Sequence, residues 1–265
     1  MQGITELRNP LADTLAAGRV GLALIVQKCS SVDIALAAQS CGFDALSIDL
    51  EHSVIAEGAA AQIAVTALQC GVTPLVRLGS HDAYIANRLL DAGALGVIAP
   101  HVESAEQARA IVAACRFAPH GARSVSYHYP HFGYRSTDAA SARAALDAAT
   151  TVVVMLESPQ AVEQAAAIAA VPGVDIVHVG AVDLCDALGI PGCIDDARVL
   201  ALFERVIDAC RRHSKVAGIG GVGGHPEVAQ HVLRCGARFL TAGIDWDLML
   251  TAARQRVAAL RQMER

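Results

Sequence analysis

Four apolar stretches of this chain end in charged or titratable side chains. They finish at Asp49-Leu-Glu-His52, Arg77, Glu157 and Asp183. An apolar strand that ends in such residues is typical of a buried parallel strand whose carboxyl end opens at an active-site mouth. We therefore expect the four stretches to share one pocket.

Glu157 and Asp183 are the candidate metal ligands. Two hard oxygen ligands, with no Cys or His at zinc spacing, favour Mg²⁺, with Mn²⁺ or Co²⁺ as alternatives, and leave the other positions to water or a chelating substrate. Without a cation, two close carboxylates would repel each other and one would bind a proton. The alternative is that both are unrelated surface or capping acids, because Ser158-Pro159 resembles a helix start.

His52 and Arg77 are the candidate catalytic residues. A histidine at a strand end can act as a base near neutral pH, and an arginine can hold a carboxylate or stabilise a developing enolate. The alternative for His52 is a structural role. Arg123, in a long loop, is either a second anion contact or simply solvated.

Eight strands that alternate with eight helices would position these residues. The repeat favours a (β/α)8 barrel over an open doubly wound sheet, because the glycine fingerprint of dinucleotide-binding folds does not follow the first strand. The whole chain, 1–265, is predicted to form one domain. The strands are expected at Gly21–Val26, within Asp44–His52, and at Leu75–Arg77, Leu95–Pro100, Val152–Leu156, Asp175–Val179, Val216–Ile219 and Phe239–Ala242.

Composition narrows the class of protein. The chain has 265 residues, 54% of them hydrophobic, and a formal charge of −5, which argues against nucleic acid as a partner. No apolar run is long enough to span a bilayer, and the first residues contain no signal-peptide core, so we predict a soluble, cytoplasmic protein without membrane contact. The eight cysteines form no Cys-x-x-Cys pair and are expected to be reduced.

One long segment interrupts the alternation. Residues 119–137 contain three histidines, three tyrosines and two arginines without clear periodicity. Segments of this length are usually functional or mobile. The part from 124 to 137 is interpreted as a candidate lid over the substrate, although no spacing within it specifies a chemistry.

Together these motifs resemble the metal-dependent class II 2-oxo acid aldolases of the HpcH/HpaI family. The similarity extends from Gly21 to about Asp245. It includes Ile48-Asp-Leu-Glu-His52, Arg77 in Leu-Val-Arg, Glu157 in Leu-Glu-Ser, Asp183 in Gly-Ala-Val-Asp-Leu and the segment Arg116–Arg123.

The resemblance implies a barrel of the phosphoenolpyruvate/pyruvate type with His52 as base, Arg77 on the enolate and Glu157 and Asp183 on the metal. It also implies a homo-oligomer, dimer units that form hexamers, in which protomers exchange the last helix. Asp91 matches an aspartate that raises the basicity of the histidine. Because Asp91 precedes strand four, it should lie at the opposite face from His52 of its own barrel and reach a histidine only across a subunit contact; the alternative is a simple helix-end acid.

Two departures concern the substrate. Met155 stands where these aldolases usually have Gln, and Ala-Val182 replaces Pro-Ala before the metal aspartate. Both positions would line the substrate site beside Asp183. We therefore expect a carbon–carbon lyase for a small 2-oxo acid such as pyruvate or oxaloacetate. The alternatives are a siderophore-pathway citrate synthase that condenses oxaloacetate with acetyl-CoA, and a non-catalytic barrel that binds a small acid.

Overall fold

The computed structural model describes residues 7–263. Its eight parallel strands pair in sequence order, and β8 pairs with β1, so the sheet closes into a barrel. This confirms the predicted (β/α)8 architecture. The strands are β1 Gly21–Val26, β2 Ala45–Asp49, β3 Thr73–Arg77, β4 Gly96–Ala99, β5 Thr151–Leu156, β6 Ile176–Val179, β7 Val216–Ile219 and β8 Phe239–Ile244.

Helices follow or precede every strand on the outside of the barrel. They are α1 Pro10–Ala16, α2 Asp33–Cys41, α3 Glu57–Cys70, α4 Ala83–Asp91, α5 Ala105–Cys115, α6 Ala139–Ala149, α7 Pro159–Glu163, α8 Ala165–Ala169, α9 Ala181–Ala187, α10 Ala197–Arg212, α11 Pro226–Cys235 and α12 Asp245–Gln262. A short 3₁₀ turn covers Pro130–Phe132. No helix among the described residues is long and apolar enough to cross a membrane.

The strands are continuously apolar because both of their faces are buried. Alternate residues such as Leu75, Ile98 and Val153 fill the barrel interior, whereas their neighbours Val76 and Val97 pack against the helices. The interior is therefore a packed core that supports the strand ends.

Helix α1 closes the amino end of the barrel. Leu11 is fully buried in the interior cluster, and its backbone N–H donates to Thr73 Oγ1 at 2.9 Å. The side chain of Asn9 donates to Ala149 O at 2.7 Å and to Thr151 Oγ1 at 2.9 Å. These bonds join the start of the described chain to the beginnings of two strands.

The long segment after α5 lies at this same amino end. His131 Nε2 is 3.1 Å from Ala94 O, just before β4, and Tyr129 and Phe132 pack with Leu146 of α6. The prediction that residues 124–137 cover the substrate site of their own barrel is therefore wrong. The physical reason is connection polarity, because a segment between α5 and β5 must lie where β5 begins.

His178 occupies the barrel interior and explains part of the glycine-rich run 218–224. A Cβ at Gly218 would lie 2.6 Å from His178 Nδ1, and one at Gly220 would lie 2.8 Å from Nε2. Only glycine leaves room for the ring there. Burial lowers the pKa of His178 from 6.5 to about 3, so the folded protein holds this ring neutral.

His178 is expected to make the protein acid-sensitive. Its folded pKa is depressed below the unfolded value, so protons favour the unfolded chain, and stability is lost as pH falls below about 6.5. Between pH 7 and pH 5 the free energy of unfolding should fall by about 2 kcal/mol from this residue alone. Urea unfolding at both pH values should show that His178→Asn loses this slope and that the exposed control His213→Asn keeps it. An unchanged slope in His178→Asn would contradict the assignment.

Candidate active site

The carboxyl ends of β2 and β3 supply a buried ion pair. Arg77 Nε donates to Asp49 Oδ1 at 3.0 Å, and Arg77 Nη2 bonds the second carboxylate oxygen. Gln27, which follows β1, donates to Asp49 Oδ2 at 2.7 Å. Burial alone would raise the pKa of Asp49, but the hydrogen bonds and charge of Arg77 outweigh it and hold the pKa below its ordinary value. Asp49 therefore fixes the plane of the Arg77 guanidinium.

Glu51 and His52 lie at the mouth above this pair. Glu51 Oε2 is 3.4 Å from Arg77 Nη1 and 3.7 Å from His52 Nε2. The side chain of His52 is 53% exposed, and its backbone N–H donates to Asp49 Oδ1 at 3.2 Å. An exposed ring on an anchored backbone is accessible to a molecule that enters the mouth.

Glu157 follows β5 and is almost fully buried. The backbone N–H of His101 donates to Glu157 Oε2 at 2.8 Å, and His101 Nδ1 lies 2.9 Å from the same oxygen. Both contacts end on Oε2, which leaves Oε1 for a further ligand. Ser158, not Glu157, caps α7 by accepting from Ala161 N at 3.1 Å. The capping interpretation of Glu157 is therefore wrong.

Asp183 lies in the first turn of α9, directly after β6, the neighbour of β5. Burial raises the pKa of Glu157, and the charges of Asp183 and Glu51 raise it further, against the hydrogen bond and charge of His101. Gly180 makes room for the carboxylate, because a Cβ at this position would lie 2.7 Å from Glu157 Oε1. Glu157 after β5 and Asp183 after β6 are therefore close enough at the mouth for the charge of Asp183 to raise the pKa of Glu157.

His101 is a site residue that the sequence analysis missed. Its Nε2 lies 2.7 Å from Glu51 Oε1, so its ring bridges Glu51 and Glu157. Burial alone would lower the pKa of His101, but the charge of Glu157 and the bond to Glu51 raise it. Its backbone has a φ of 52°, a left-handed conformation that is uncommon outside glycine. His101 stands two residues after β4, so applying the strand-end rule to β4 would have found it.

The remaining predicted residues do not all reach this mouth. Met155 is buried in the barrel interior, and Val182 is exposed next to Asp183. Arg123 donates to Asp91 Oδ1 at 2.8 Å and lies 4.6 Å over the Phe117 ring. Both residues of this pair lie at the amino end of the barrel. The structure therefore places Arg123 away from the substrate site of its own protomer, and the expected opposite-face position of Asp91 is what it shows.

A family model described as HpcH/HpaI aldolase/citrate lyase matches residues 27–252. The chain belongs to this family. The 4-hydroxy-4-methyl-2-oxoglutarate aldolase tasA of Hapsidospora irregularis is 39% identical over 261 residues, 97% of this chain and 96% of that protein. The hydroxypyruvate/pyruvate aldolase of Chromohalobacter salexigens is 35% identical over 222 residues, 82% of this chain and 84% of that protein.

A solved structure of an HpcH/HpaI aldolase, from Desulfitobacterium hafniense, superposes on the chain with a TM-score of 0.90 and 27% identity. The match covers 96% of this chain and 97% of that one. Family, fold and near-full-length relatives agree, so this HpcH/HpaI protein is an aldolase-type carbon–carbon lyase.

The mouth of this HpcH/HpaI aldolase suits a divalent cation. Four carboxylates gather there, and the guanidinium of Arg77 offsets only one of them: Asp49, Glu51, Glu157 and Asp183. Within residues 7–263, Glu51 Oε2 is buried without a hydrogen-bond partner. Oxygen donors and excess negative charge are what Mg²⁺ and similar hard cations require. Glu157 and Asp183 are the acids best placed to bind it, since Asp49 is already held by Arg77.

Proposed function

We propose that Glu157 and Asp183 hold a divalent cation, with Mg²⁺ as the first candidate, against the carbonyl and carboxylate of a small 2-oxo acid such as pyruvate or oxaloacetate. The observation that carries this proposal is Glu157 itself: it is buried, bonded on one oxygen only, and next to a second acid. When bound, the cation would polarise the carbonyl and lower the energy of the enolate. Carbon–carbon cleavage or condensation with a carbonyl compound would then follow.

Arg77 and His52 would supply the protein's part of the reaction. Asp49 holds Arg77 through Nε and Nη2, so Nη1 faces the mouth and can donate to the enolate oxygen. His52 is exposed at the same mouth and can remove or return the proton. Val182, which is exposed next to Asp183, would contact the acid from α9, whereas Met155 lies below the mouth in the barrel interior.

We also propose a homo-oligomer with an exchanged last helix. Helix α12 buries none of its residues against its own barrel, and it exposes apolar side chains that include Trp246, Leu248 and Val257. A groove of about 620 Å³ between α11 and β8, lined by Val222, Leu233 and Leu240 among others, is open on the same protomer. If two protomers exchanged α12, the apolar side chains of each exchanged helix and the groove of the protomer that receives it would both be covered. In such an assembly Asp91 could act on a histidine across the subunit contact.

The location we propose is the cytoplasm. All eight cysteines are unpaired, and a reducing compartment keeps them so.

The decisive experiment is deuterium exchange at the methyl group of pyruvate, followed by proton NMR with Mg²⁺, Mn²⁺ or Co²⁺. We expect metal-dependent exchange that EDTA abolishes. His52→Ala should still bind pyruvate but exchange about 10²- to 10⁴-fold more slowly, as expected for loss of a general base. Binding without exchange, for both pyruvate and oxaloacetate, would favour the non-catalytic barrel. Release of coenzyme A from acetyl-CoA and oxaloacetate would favour the citrate synthase.

Gly180→Ala is expected to disturb the metal site without unfolding the barrel. The new Cβ would push the Glu157 carboxylate, and a displacement near 1 Å costs about 10²-fold in rate. The backbone of Gly180 has a φ of −83°, which alanine adopts without strain. Mn²⁺ affinity and exchange rate are the measurements. Gly58→Ala is the matched control, because its Cβ meets no atom within 4 Å inside α3; wild-type metal affinity in Gly180→Ala would contradict the proposal.

A further inference from the structure

We propose that α10 and α11 carry a second metal site, for Zn²⁺ or a similar transition-metal ion, formed by Glu204, His231 and Cys235. His231 Nε2 lies 2.8 Å from Glu204 Oε1 and 3.6 Å from Cys235 Sγ. One ligand atom from each residue lies within 4.8 Å of the other two, the only such group of three within residues 7–263. The site is on the outer surface, and Cys235 ends α11 just before β8, away from the mouth at the carboxyl end.

The sequence places two of these residues for joint coordination. His231 and Cys235 are four residues apart on α11, so their side chains share one face of that helix. Glu204 meets them from the middle of α10. Neither the proposed reaction nor any sequence motif of the family resemblance uses them.

A Cys-His-Glu relay does not explain this cluster. In a relay the histidine would bind the thiol through one ring nitrogen and the carboxylate through the other. Here Cys235 Sγ and Glu204 Oε1 both lie next to the same ring nitrogen, Nε2 of His231. Two candidate ligand atoms beside one ring nitrogen, with the three atoms within 4.8 Å of one another, are the arrangement expected around a single bound cation.

The distances and atom types fit zinc. Bonds of about 2.0 to 2.3 Å in a tetrahedral site place N and O ligands about 3.3 Å apart and N and S ligands about 3.5 Å apart. The observed 2.8 and 3.6 Å are within a small side-chain rotation of these values. Sulfur, imidazole and carboxylate are ligands of borderline-soft ions, whereas the acids at the mouth offer oxygen alone. Three protein ligands leave one position for water.

Neighbouring positive charge is largely compensated. Arg211 donates to Cys235 O at 2.8 Å, but it also pairs with Asp208 at 2.9 Å. Arg205 donates to the backbone of Glu163 instead of facing the cluster. The bound ion would join α11 to α10 next to the groove that Leu233 lines, and its expected effect is structural.

Cobalt is the probe that separates the two sites. After treatment with a chelator under a phosphine reductant, titration with Co²⁺ should produce a thiolate-to-cobalt charge-transfer absorption that oxygen ligands cannot give. Cys235→Ser should lose this band, while Cys193→Ser, a control at an exposed cysteine outside the cluster, should keep it. With the mouth site saturated by Mg²⁺, Zn²⁺ should raise the melting temperature of wild type more than that of His231→Gln.

Several outcomes would overturn the proposal. A titration without a charge-transfer band, or a band that survives in Cys235→Ser, means that this cluster binds no metal. Circular dichroism of each variant checks that the fold is kept. Glu157→Gln should retain the cobalt–thiolate band, so failure of the catalytic metal proposal and failure of this one are distinguishable.

Discussion

Replacing Glu157 with Gln is expected to slow metal-dependent exchange of pyruvate methyl protons by at least about 10³-fold, the equivalent of several kcal/mol of charge stabilisation. Gln keeps the size of the side chain and can still accept the two bonds from His101. It removes only the negative charge that would bind the cation. Mn²⁺ affinity and the exchange rate should therefore fall together.

The free energy of unfolding of the metal-free protein should not fall with the activity in Glu157→Gln. The pKa of Glu157 is raised, first by burial, so the charged carboxylate costs folding free energy as pH rises through that pKa. The amide introduced by Glu157→Gln stays neutral, and the metal-free variant should unfold at the same or higher urea concentration at pH 7. Glu163→Gln, the same change at an exposed position, should affect neither property. Undiminished exchange in Glu157→Gln would refute the proposed metal ligand.

Arg77→Met is expected to damage both stability and catalysis. Asp49 is fully buried, and without Arg77 its charge would keep only Gln27 and backbone donors, so the free energy of unfolding should fall by about 3 to 5 kcal/mol. Loss of a donor to the enolate oxygen should cost a further 10²- to 10³-fold, roughly, in exchange rate. Urea unfolding and pyruvate exchange measure the two effects separately.

The double variant Asp49→Asn/Arg77→Met is the matched control. Removing the buried charge together with its partner should restore much of the stability but none of the activity. The pKa of Asp49 is lowered in the fold, so the stability from the pair is present above its ordinary pKa and is lost as pH falls through the lowered one. The difference in the free energy of unfolding between Arg77→Met and wild type should become smaller in that acid range. A single variant as stable as wild type at pH 7 would contradict the account.

Most of the barrel was predictable because its strands are buried on both faces. Continuous apolar runs bounded by helical repeats located all eight strands, with β1 and β7 at the bounds that the structure shows. Helices α1 and α9 were missed. Each has only seven residues, too few for a helical period to emerge, and α9 begins within the stretch where Asp183 was interpreted as a strand end.

The site residues were predictable where a charged side chain ends an apolar stretch of the sequence. Arg77, Glu157 and Asp183 stand out because apolar residues precede them. His101 follows the apolar run of β4 and Pro100 in the same way, but its bridge between Glu51 and Glu157 depends on a turn with a positive φ that the sequence does not predict. Arg123 could not be placed from its residue type. Its pairing with Asp91 depends on the fold of a segment that lacks periodicity.

The seal that α1 forms has a practical consequence. Asn9 and Leu11 attach this helix to the starts of β3 and β5, so the amino end of the barrel depends on these two residues. A truncation that removes these two residues would uncover the amino end of the barrel and expose the interior side chains of Leu75 and Val153 to water. Shortened versions of this protein should therefore aggregate on expression even though every catalytic side chain is retained.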